Sequence, residues 1–492
     1  MDYVLGIDLG SSSLKGIIMN NKGEIIAEQS TIYPINSPKM GYSEQNPQEW
    51  IRACEEVLTE LAQLVPDFSN NLVAISFSGQ MHSLVIVDEK NEPIYPAILW
   101  NDVRTTNECK KIEKLFGSEI IKITKNKIVE GFTLPKILWL QENEPQIWQK
   151  AKKIMLPKDY LSYWLTGNIY TEYSDAAGTL LFDIEKKDWS KDILNKFSIP
   201  ETIVPKLVES LDQVGVVRKE IRDRYQFQKN VKVFAGGADN ACAALGAGLV
   251  SEEVALVSIG TSGVLSTFEH NLIDYKGNLH FFNHVLPNMY YAMGVTLAAG
   301  NSLQWFKDTF AKNTTYTELL KNVDKISPGS DNLYFSPYIV GERTPHFDST
   351  IRGSFIGIDT NHRLDHFTRA VLEGIVYSLK DSQLIIENEH HKNFEKFISI
   401  GGGAKNSEWL QIQADIFNVD IVQLDNEQGP GLGACMIAAM GCGWFSDIPA
   451  MLETCLSYKK KVYHPKIENV QIYQEKYKKW KKIYMNTKEI IG

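Results

Sequence analysis

No uninterrupted apolar run in this chain approaches the roughly 20 residues that a membrane-spanning helix needs, which argues against a protein that crosses a bilayer. Cysteine is sparse. Cys54, Cys109, Cys242, Cys435, Cys442 and Cys455 lie far apart, and none stands in a Cys-x-x-Cys pair. Zinc and dithiol redox motifs are therefore missing. A chain this long needs no disulfide staples, and scattered thiols fit buried, inert residues in a reducing compartment. Net positive charge is lacking too: 60 acidic residues face 51 basic ones, for a formal charge of −9. That balance argues against nucleic acid or an anionic membrane as the main partner, although an acidic protein can still hold a phosphate through local geometry. There is no Walker A sequence, so a P-loop kinase is not expected. Low-complexity segments are absent, and the N-terminus shows no basic region, apolar stretch or cleavage site of a leader. The expected location is cytoplasmic.

What is present is ordinary globular material, with 43% hydrophobic and 23% charged residues. Such a chain can bury enough apolar surface to offset the cost of ordering itself, unlike a disordered one. Its 492 residues predict two or three domains. The first thirty read as a three-stranded meander: Val4 to Leu9, then Leu14 to Met19 after a Gly-Ser-Ser-Ser turn, then Glu24 to Gln29 after Asn20-Asn21-Lys22-Gly23. A helix is predicted near Pro47 to Leu64, from the spacing of Trp50, Ile51, Ala53, Val57, Leu58 and Leu61. Leu72 to Phe77 and Val231 to Ala235 read as further strands. The second of these runs into Gly236-Gly-Ala-Asp-Asn240 and a small-residue helix, Ala241 to Gly248.

At Val254 the pattern restarts. A strand to Gly260, a Thr261-Ser-Gly263 turn and a strand from Val264 to Phe268 repeat the logic of residues 4 to 19. Phe397 to Ile400 then runs into Gly401-Gly-Gly-Ala-Lys-Asn406 and a helical pattern. Two α/β halves, split near residue 250, are the expectation. The last segment, Ile472 to Ile491, places Tyr473, Tyr477, Trp480 and Tyr484 at helical spacing among lysines. It can be read as a basic-aromatic nucleic-acid surface or as an amphipathic terminal helix packed on the body. The acidity of the rest of the chain favours the second.

Several segments could carry chemistry. In Asp8-Leu-Gly-Ser-Ser-Ser-Leu-Lys15, a tight Gly/Ser turn gathers backbone N–H groups and hydroxyls such as that of Ser12, which suits polyphosphate oxygens. Lys15 adds a point charge, and Asp8 at a strand end can hold a water of Mg2+. The turn at Gly260 and Thr261 has the same physics, and the two together could clamp a triphosphate across an interdomain cleft. Glycines at 401–403, ahead of Asn406, allow a flat ring to approach the backbone. Asp239, after two glycines and before a helix, is either a helix N-cap or a carboxylate that aligns and deprotonates a substrate hydroxyl in phosphoryl transfer. Gln80-Met81-His82 and Trp100-Asn101-Asp102 combine donors, acceptors and apolar walls of the kind that a polyol needs. His82 has a structural reading as well. Gly429-Pro-Gly431-Leu-Gly-Ala434 matches a dinucleotide fingerprint, but too little chain follows to complete that fold. Close helix packing near a nucleotide is the expectation there.

Long segments also resemble a known family, the FGGY carbohydrate kinases. Gly131-Phe-Thr-Leu-Pro-Lys-Ile-Leu-Trp-Leu-Gln-Glu-Asn143 is similar to one family signature, and the stretch from Gly353 to Glu373 is similar to the other. The likeness runs from about residue 2 to residue 445. Ser78–His82, Ala97–Asp102 with Arg104, Ser174–Asp183 and Gly341–His346 resemble members that phosphorylate the ketose D-xylulose. Ser83 and Ala238 stand where glycine is common in the family.

The resemblance implies an α/β fold with two ribonuclease-H-like domains of the actin/hexokinase type flanking a catalytic cleft. Their expected limits are 1–250 for sugar and 251–450 for ATP, with a helical extension at 451–492. It implies ATP and Mg2+ as cofactors and a small-molecule sugar as partner, with homodimer formation left open. Asp239 and Asp8 would be the catalytic and metal-proximal acids. Gln80, Met81, His82, Asp102 and Asn240 would bind sugar. Ser12, Lys15, Gly260, Thr261, Gly402, Gly403 and Asn406 would bind nucleotide. Three alternatives are carried beside this one: a kinase for another ketose or polyol, an actin-like or chaperone-like ATPase, and a nicotinamide-dependent dehydrogenase.

Overall fold

A computed structural model describes residues 1–491; Gly492, the last residue of the expected helical extension, lies outside the described residues. Its first sheet begins with β1 (Tyr3–Leu9), β2 (Ser13–Asn20) and β3 (Ile25–Ile32), a meander whose turns are set by Gly10 and by Asn20–Gly23. Helix α1 (Pro47–Leu64) follows. Asn46 caps it by accepting from the Gln48 N–H, and Trp50, Val57, Leu58 and Leu61 are buried. The sheet is completed by β4 (Leu72–Gly79), β5 (Gln213–Val216), β6 (Lys232–Phe234) and β7 (Gly237–Ala238). Strand order is β5-β6-β4-β1-β2-β3, with β7 on the end of β4. β1 and β4 are central and parallel, and both are buried along almost their whole length. They accordingly read as continuous apolar runs rather than as alternating strands.

Helix α2 (Asp239–Gly246) leads to a second sheet of β8 (Val254–Ile259), β9 (Gly263–Glu269), β10 (His280–Asn283), β11 (Tyr290–Thr296), β12 (Lys396–Gly401) and β13 (Asp420–Val422). Its order is β10-β11-β9-β8-β12-β13. Without the extra edge strands β5 and β10, both sheets have the same plan: an antiparallel three-strand meander whose first strand pairs in parallel with a fourth, and that with a fifth. The two hairpin turns are alike but differ by one residue in length. The Gly10 N–H donates to the Ser13 carbonyl and the Gly260 N–H to that of Ser262, both at 3.0 Å. The strand-turn-strand repeat read from the sequence thus recurs as a repeated sheet.

The long helix α3 (Leu364–His390) is buried over its middle and packs on β9, β11 and the Tyr334–Ser336 strand. α4 (Pro430–Gly441) is apolar all round and lies against β1 and β4 of the first sheet, although it comes late in the chain. It also crosses α2. A Cβ on Gly433 would run into the Cys242 carbonyl, and one on Gly246 would stand 2.8 Å from the Gly429 oxygen. Of the glycines in the apparent dinucleotide fingerprint, Gly433 therefore serves close helix packing, Gly431 packs on Ile17 of the first sheet, and Gly429 takes a positive φ of +62° at the start of α4.

The terminal segment forms two helices rather than one, α5 (Ile467–Trp480) and α6 (Lys482–Ile491). Tyr473, Tyr477, Trp480 and Tyr484 are buried, and the Trp480 indole donates to the Phe335 carbonyl at 2.7 Å. The aromatic stripe is spent on packing while Lys478, Lys479, Lys481 and Lys482 stay exposed. Among the described residues no helix is long and apolar enough to cross a membrane.

Candidate active site

The ends of three strands of the first sheet converge on one point. Asp8 lies opposite Ser78 across the β1–β4 pair, and Ser78 lies opposite Gly237 across β4–β7. This register brings Asp8 and Asp239 beside each other. Gly236 (φ +80°) makes the approach possible, because a side chain there would strike the Phe77 carbonyl. Asp239 occupies the first turn of α2 rather than its cap, which is Ala238. One of its oxygens, Oδ1, accepts from the Asn240 N–H at 2.7 Å and from Asn240 Nδ2 at 3.1 Å. Burial, and after it the negative charge of Asp8, push the Asp239 carboxyl up to about 7. Asp8 is raised as well, chiefly by burial, and its Oδ1 has no hydrogen-bond partner among the described residues. Two neighbouring carboxylates, one poised near neutrality, suit proton acceptance and cation binding.

Met81 and His82 follow β4 after Gln80. The Met81 sulfur lies 3.7 Å from Asn240 Nδ2 and 3.7 Å from the Tyr291 hydroxyl, so it joins the first sheet, α2 and β11. His82 has φ +66° and packs on Phe132, with ring centroids 4.5 Å apart. Its Nδ1 is 2.6 Å from the Gly178 carbonyl. A carbonyl only accepts, so Nδ1 carries the proton. Burial holds the imidazole down to about 3, hence neutral. Nε2 is left with a lone pair for a ligand hydroxyl. The backbone of His82 is pinned through its carbonyl by the Thr133 hydroxyl at 3.0 Å and Lys136 Nζ at 3.3 Å.

Gln80 and Asp102, expected at the sugar, are buried with their polar atoms engaged. Gln80 Nε2 donates to the Gly10 carbonyl and to Gln45, and its Oε1 accepts from Ser83. Asp102 accepts the Ser43 N–H at 2.6 Å and is chelated by the Arg104 guanidinium, which also pairs with Glu44 at 2.7 Å. Both residues hold neighbouring loops. Ser83 earns its hydroxyl by binding Gln80 and accepting the Trp100 N–H at 3.0 Å. Trp100 in turn donates to Ser11 of the first turn at 2.7 Å, which links that polar segment to the Gly/Ser loop.

The nucleotide-type residues gather in the second half. Gly260, Thr261, Gly402, Gly403 and Asn406 line one cleft of about 800 Å³, a size suited to a small ligand. Gly401 (φ +80°) leaves 2.7 Å between its position for a Cβ and the Ile259 carbonyl, so the two Gly-rich turns touch. The Asn406 side chain caps the Ser407–Phe417 helix through the Trp409 N–H at 2.9 Å. Sequence reasoning missed the opposite wall, Asn301, Leu303, Gln304, Tyr316 and Leu320, which carries no glycine signature. It also missed Phe132, Lys136, Gly178 and Tyr291. Phe132 and Lys136 lie in the family-like segment 131–143 and Gly178 in the segment 174–183, but nothing in either points to His82. Ser12 is exposed on the first turn. Lys15 bridges the halves: its Nζ is 2.8 Å from Glu28 and 3.0 Å from Gln428 Oε1.

Comparison with known proteins accords with this arrangement. Residues 3–246 match the N-terminal domain model of the FGGY family of carbohydrate kinases, and residues 255–442 match its C-terminal domain model. The chain is 60% identical over 490 residues to a xylulose kinase of Lactococcus lactis, covering 100% of this chain and 98% of that protein. It is 48% identical over 491 residues to a xylulose kinase of Bacillus subtilis, with the same coverage of 100% and 98%. The crystal structure of a Brucella ovis xylulose kinase superposes with a TM-score of 0.93 at 31% identity, covering 99% of each chain. With two repeated sheets, paired acids at their junction and both domain models matched along its length, the chain belongs to the FGGY family of carbohydrate kinases.

Proposed function

We propose that this protein transfers the γ-phosphoryl group of ATP to D-xylulose, giving ADP and D-xylulose 5-phosphate. The observation that carries the mechanism is Asp239, a carboxylate raised to about 7 beside Asp8 and next to the Met81–Asn240 contact. In this reading the terminal hydroxyl of the ketose gives its proton to Asp239. The sugar oxygen bonds to the γ-phosphorus as the bond to the β,γ-bridging oxygen breaks, and ADP leaves. The transition state is loose, so alignment of the hydroxyl counts for more than base strength.

Met81, Asn240 and the free Nε2 of neutral His82 fit the sugar. Gln80 and Asp102 act by fixing the Gly10 turn and the 41–45 segment. Gly260 and Thr261, with Ser12 and Lys15 across the junction, fit the phosphates. Gly402, Gly403 and Asn406 fit the adenosine. Asp8, with an unpartnered Oδ1, and Asp239 suit Mg2+, a hard cation that takes one or two carboxylates together with substrate phosphates. Bound there, it would neutralise charge on the phosphates. Six free cysteines suit a cytoplasmic setting. The domain division proposed is 1–250 for sugar and 251–450 for ATP, with α4 returning to brace the first sheet. Each chain holds a whole cleft, so a homodimer would carry two complete sites.

The test is a panel of ketoses and polyols with MgATP and coupled detection of ADP. D-xylulose should give the highest kcat/KM. Preference for ribulose or a polyol would move the assignment within the family. ADP release that ignores every sugar would overturn the kinase reading in favour of an ATPase.

A further inference from the structure

Behind the acids lies a buried polar cluster that the phosphoryl-transfer step does not use. Glu172, Ser174, Asp175, Lys158 and Asp159 are each 2% exposed or less. One lysine faces three carboxylates there: Lys158 Nζ is 2.6 Å from Asp159, 3.1 Å from Asp175 and 3.4 Å from Glu172. Taking charges out of water costs several kcal/mol each, and apolar residues of similar volume often serve stability as well or better. Stability alone is therefore a poor reason for the cluster, and its outward connections supply a better one.

Glu172 Oε2 accepts from the Ser174 N–H at 2.7 Å, the Ser174 hydroxyl at 2.8 Å and the Ser210 hydroxyl at 3.1 Å. Its Oε1 accepts the Asp175 N–H at 2.9 Å. The two serines both reach the segment that ends in Asp239. The Ser174 hydroxyl oxygen accepts the Ala238 N–H at 2.9 Å, and the Ser210 carbonyl accepts the Gly236 N–H at 3.1 Å. Glu172 thereby fixes both ends of Gly236–Ala238, the three residues that deliver Asp239. The hold matters because, among the described residues, the Asp239 side chain bonds only to its neighbour Asn240. Its position is inherited from the backbone before it.

We propose that Glu172 and Ser174 are positioning residues for Asp239, holding the Ala238 backbone so that the carboxylate meets the sugar hydroxyl in line with the phosphoryl group. This rests on the reading of Asp239 as proton acceptor. A displacement of about 1 Å at a reacting group can cost about a hundredfold in rate.

The experiment compares Ser174→Ala, Ser174→Thr and Asp239→Asn in steady-state kinetics, with thermal unfolding and ATP binding measured on the same preparations. Ser174→Ala should lower kcat about 10- to 100-fold while leaving the KM for ATP within about twofold. Ser174→Thr, which restores the hydroxyl, should recover most of the loss. A purely structural role would lower the unfolding temperature without separating kcat from KM. If Ser174→Ala does not fold, Glu172→Gln, nearly equal in volume, is read in the same way. Folded Ser174→Ala or Glu172→Gln with kcat within twofold of the parent overturns the proposal. Asp239→Asn keeps the two readings apart. If it is inactive while Ser174→Ala is normal, only the positioning role fails; if it stays active, the reading of Asp239 itself fails.

Discussion

The ionisation of Asp239 gives the mechanism a sharp pH signature. Burial and the adjacent Asp8 raise this carboxyl from 3.8 to about 7. A base works only when deprotonated, so activity must fall as pH drops through that value. With a pKa of about 7, the ionised fraction is about 0.9 at pH 8, about 0.1 at pH 6 and about 0.01 at pH 5. An ordinary aspartate at 3.8 would still be about 0.9 ionised at pH 5. The measurement is the rate with D-xylulose and MgATP both well below their KM values, where the pH profile reports the enzyme free of sugar, nucleotide and Mg2+. It should drop about tenfold from pH 8 to pH 6 and then about tenfold per further pH unit. Asp8→Asn should move the acid limb only part of the way down, because burial is the larger cause of the shift. Asp239→Asn should remove the limb and lower kcat by about a hundredfold or more. A wild-type profile that stays flat between pH 8 and pH 5, in protein that remains folded, would refute the role assigned to Asp239.

Other perturbations probe separate parts of the site. Lys15→Ala removes the Glu28 and Gln428 contacts and the charge near the first turn, so it should raise the KM for ATP several-fold more than that for sugar; the reverse order would count against its placement. Gly178→Ala sets a methyl 2.8 Å from His82 Nδ1, so the KM for sugar should rise about tenfold, the worth of one disturbed hydrogen bond, with the KM for ATP unchanged. Gly433→Ala drives a Cβ into the Cys242 carbonyl where α4 crosses α2; denaturant unfolding should show a loss of about 1–3 kcal/mol or more, and a variant of unchanged stability would mean that the helices separate easily.

The repeated strand-turn-strand units were readable from residue order because the features that make them are local. Alternation, apolar runs and Gly/Ser turns set strands at 3–9, 13–20, 254–259 and 263–269. The aromatic stripe of the terminal helices was readable for the same reason: spacing puts Tyr473, Tyr477, Trp480 and Tyr484 on one side. The site was legible in part. Gly260, Thr261, Gly402, Gly403 and Asn406 do share a cleft, but its other wall carries no special residue type. Gln80 and Asp102 look like ligand-facing polar residues along the chain, yet Ser83, Gln45, Ser43 and Arg104 take up their hydrogen bonds. Order along a chain shows that a group is polar, not whether a distant neighbour has already satisfied it.

The chain alone, then, determined the strands, the turns that join them and which residue types could meet phosphate or sugar, since each follows from a few adjacent side chains. Tertiary structure decided the chemistry of Asp239. Only the β1–β4–β7 register sets it beside Asp8 and away from water. Only the folding of residues 172–174 and 210 against 236–238 holds it there. A carboxylate's proton affinity depends on burial and on charges brought close in space, and neither can be read from its neighbours in sequence.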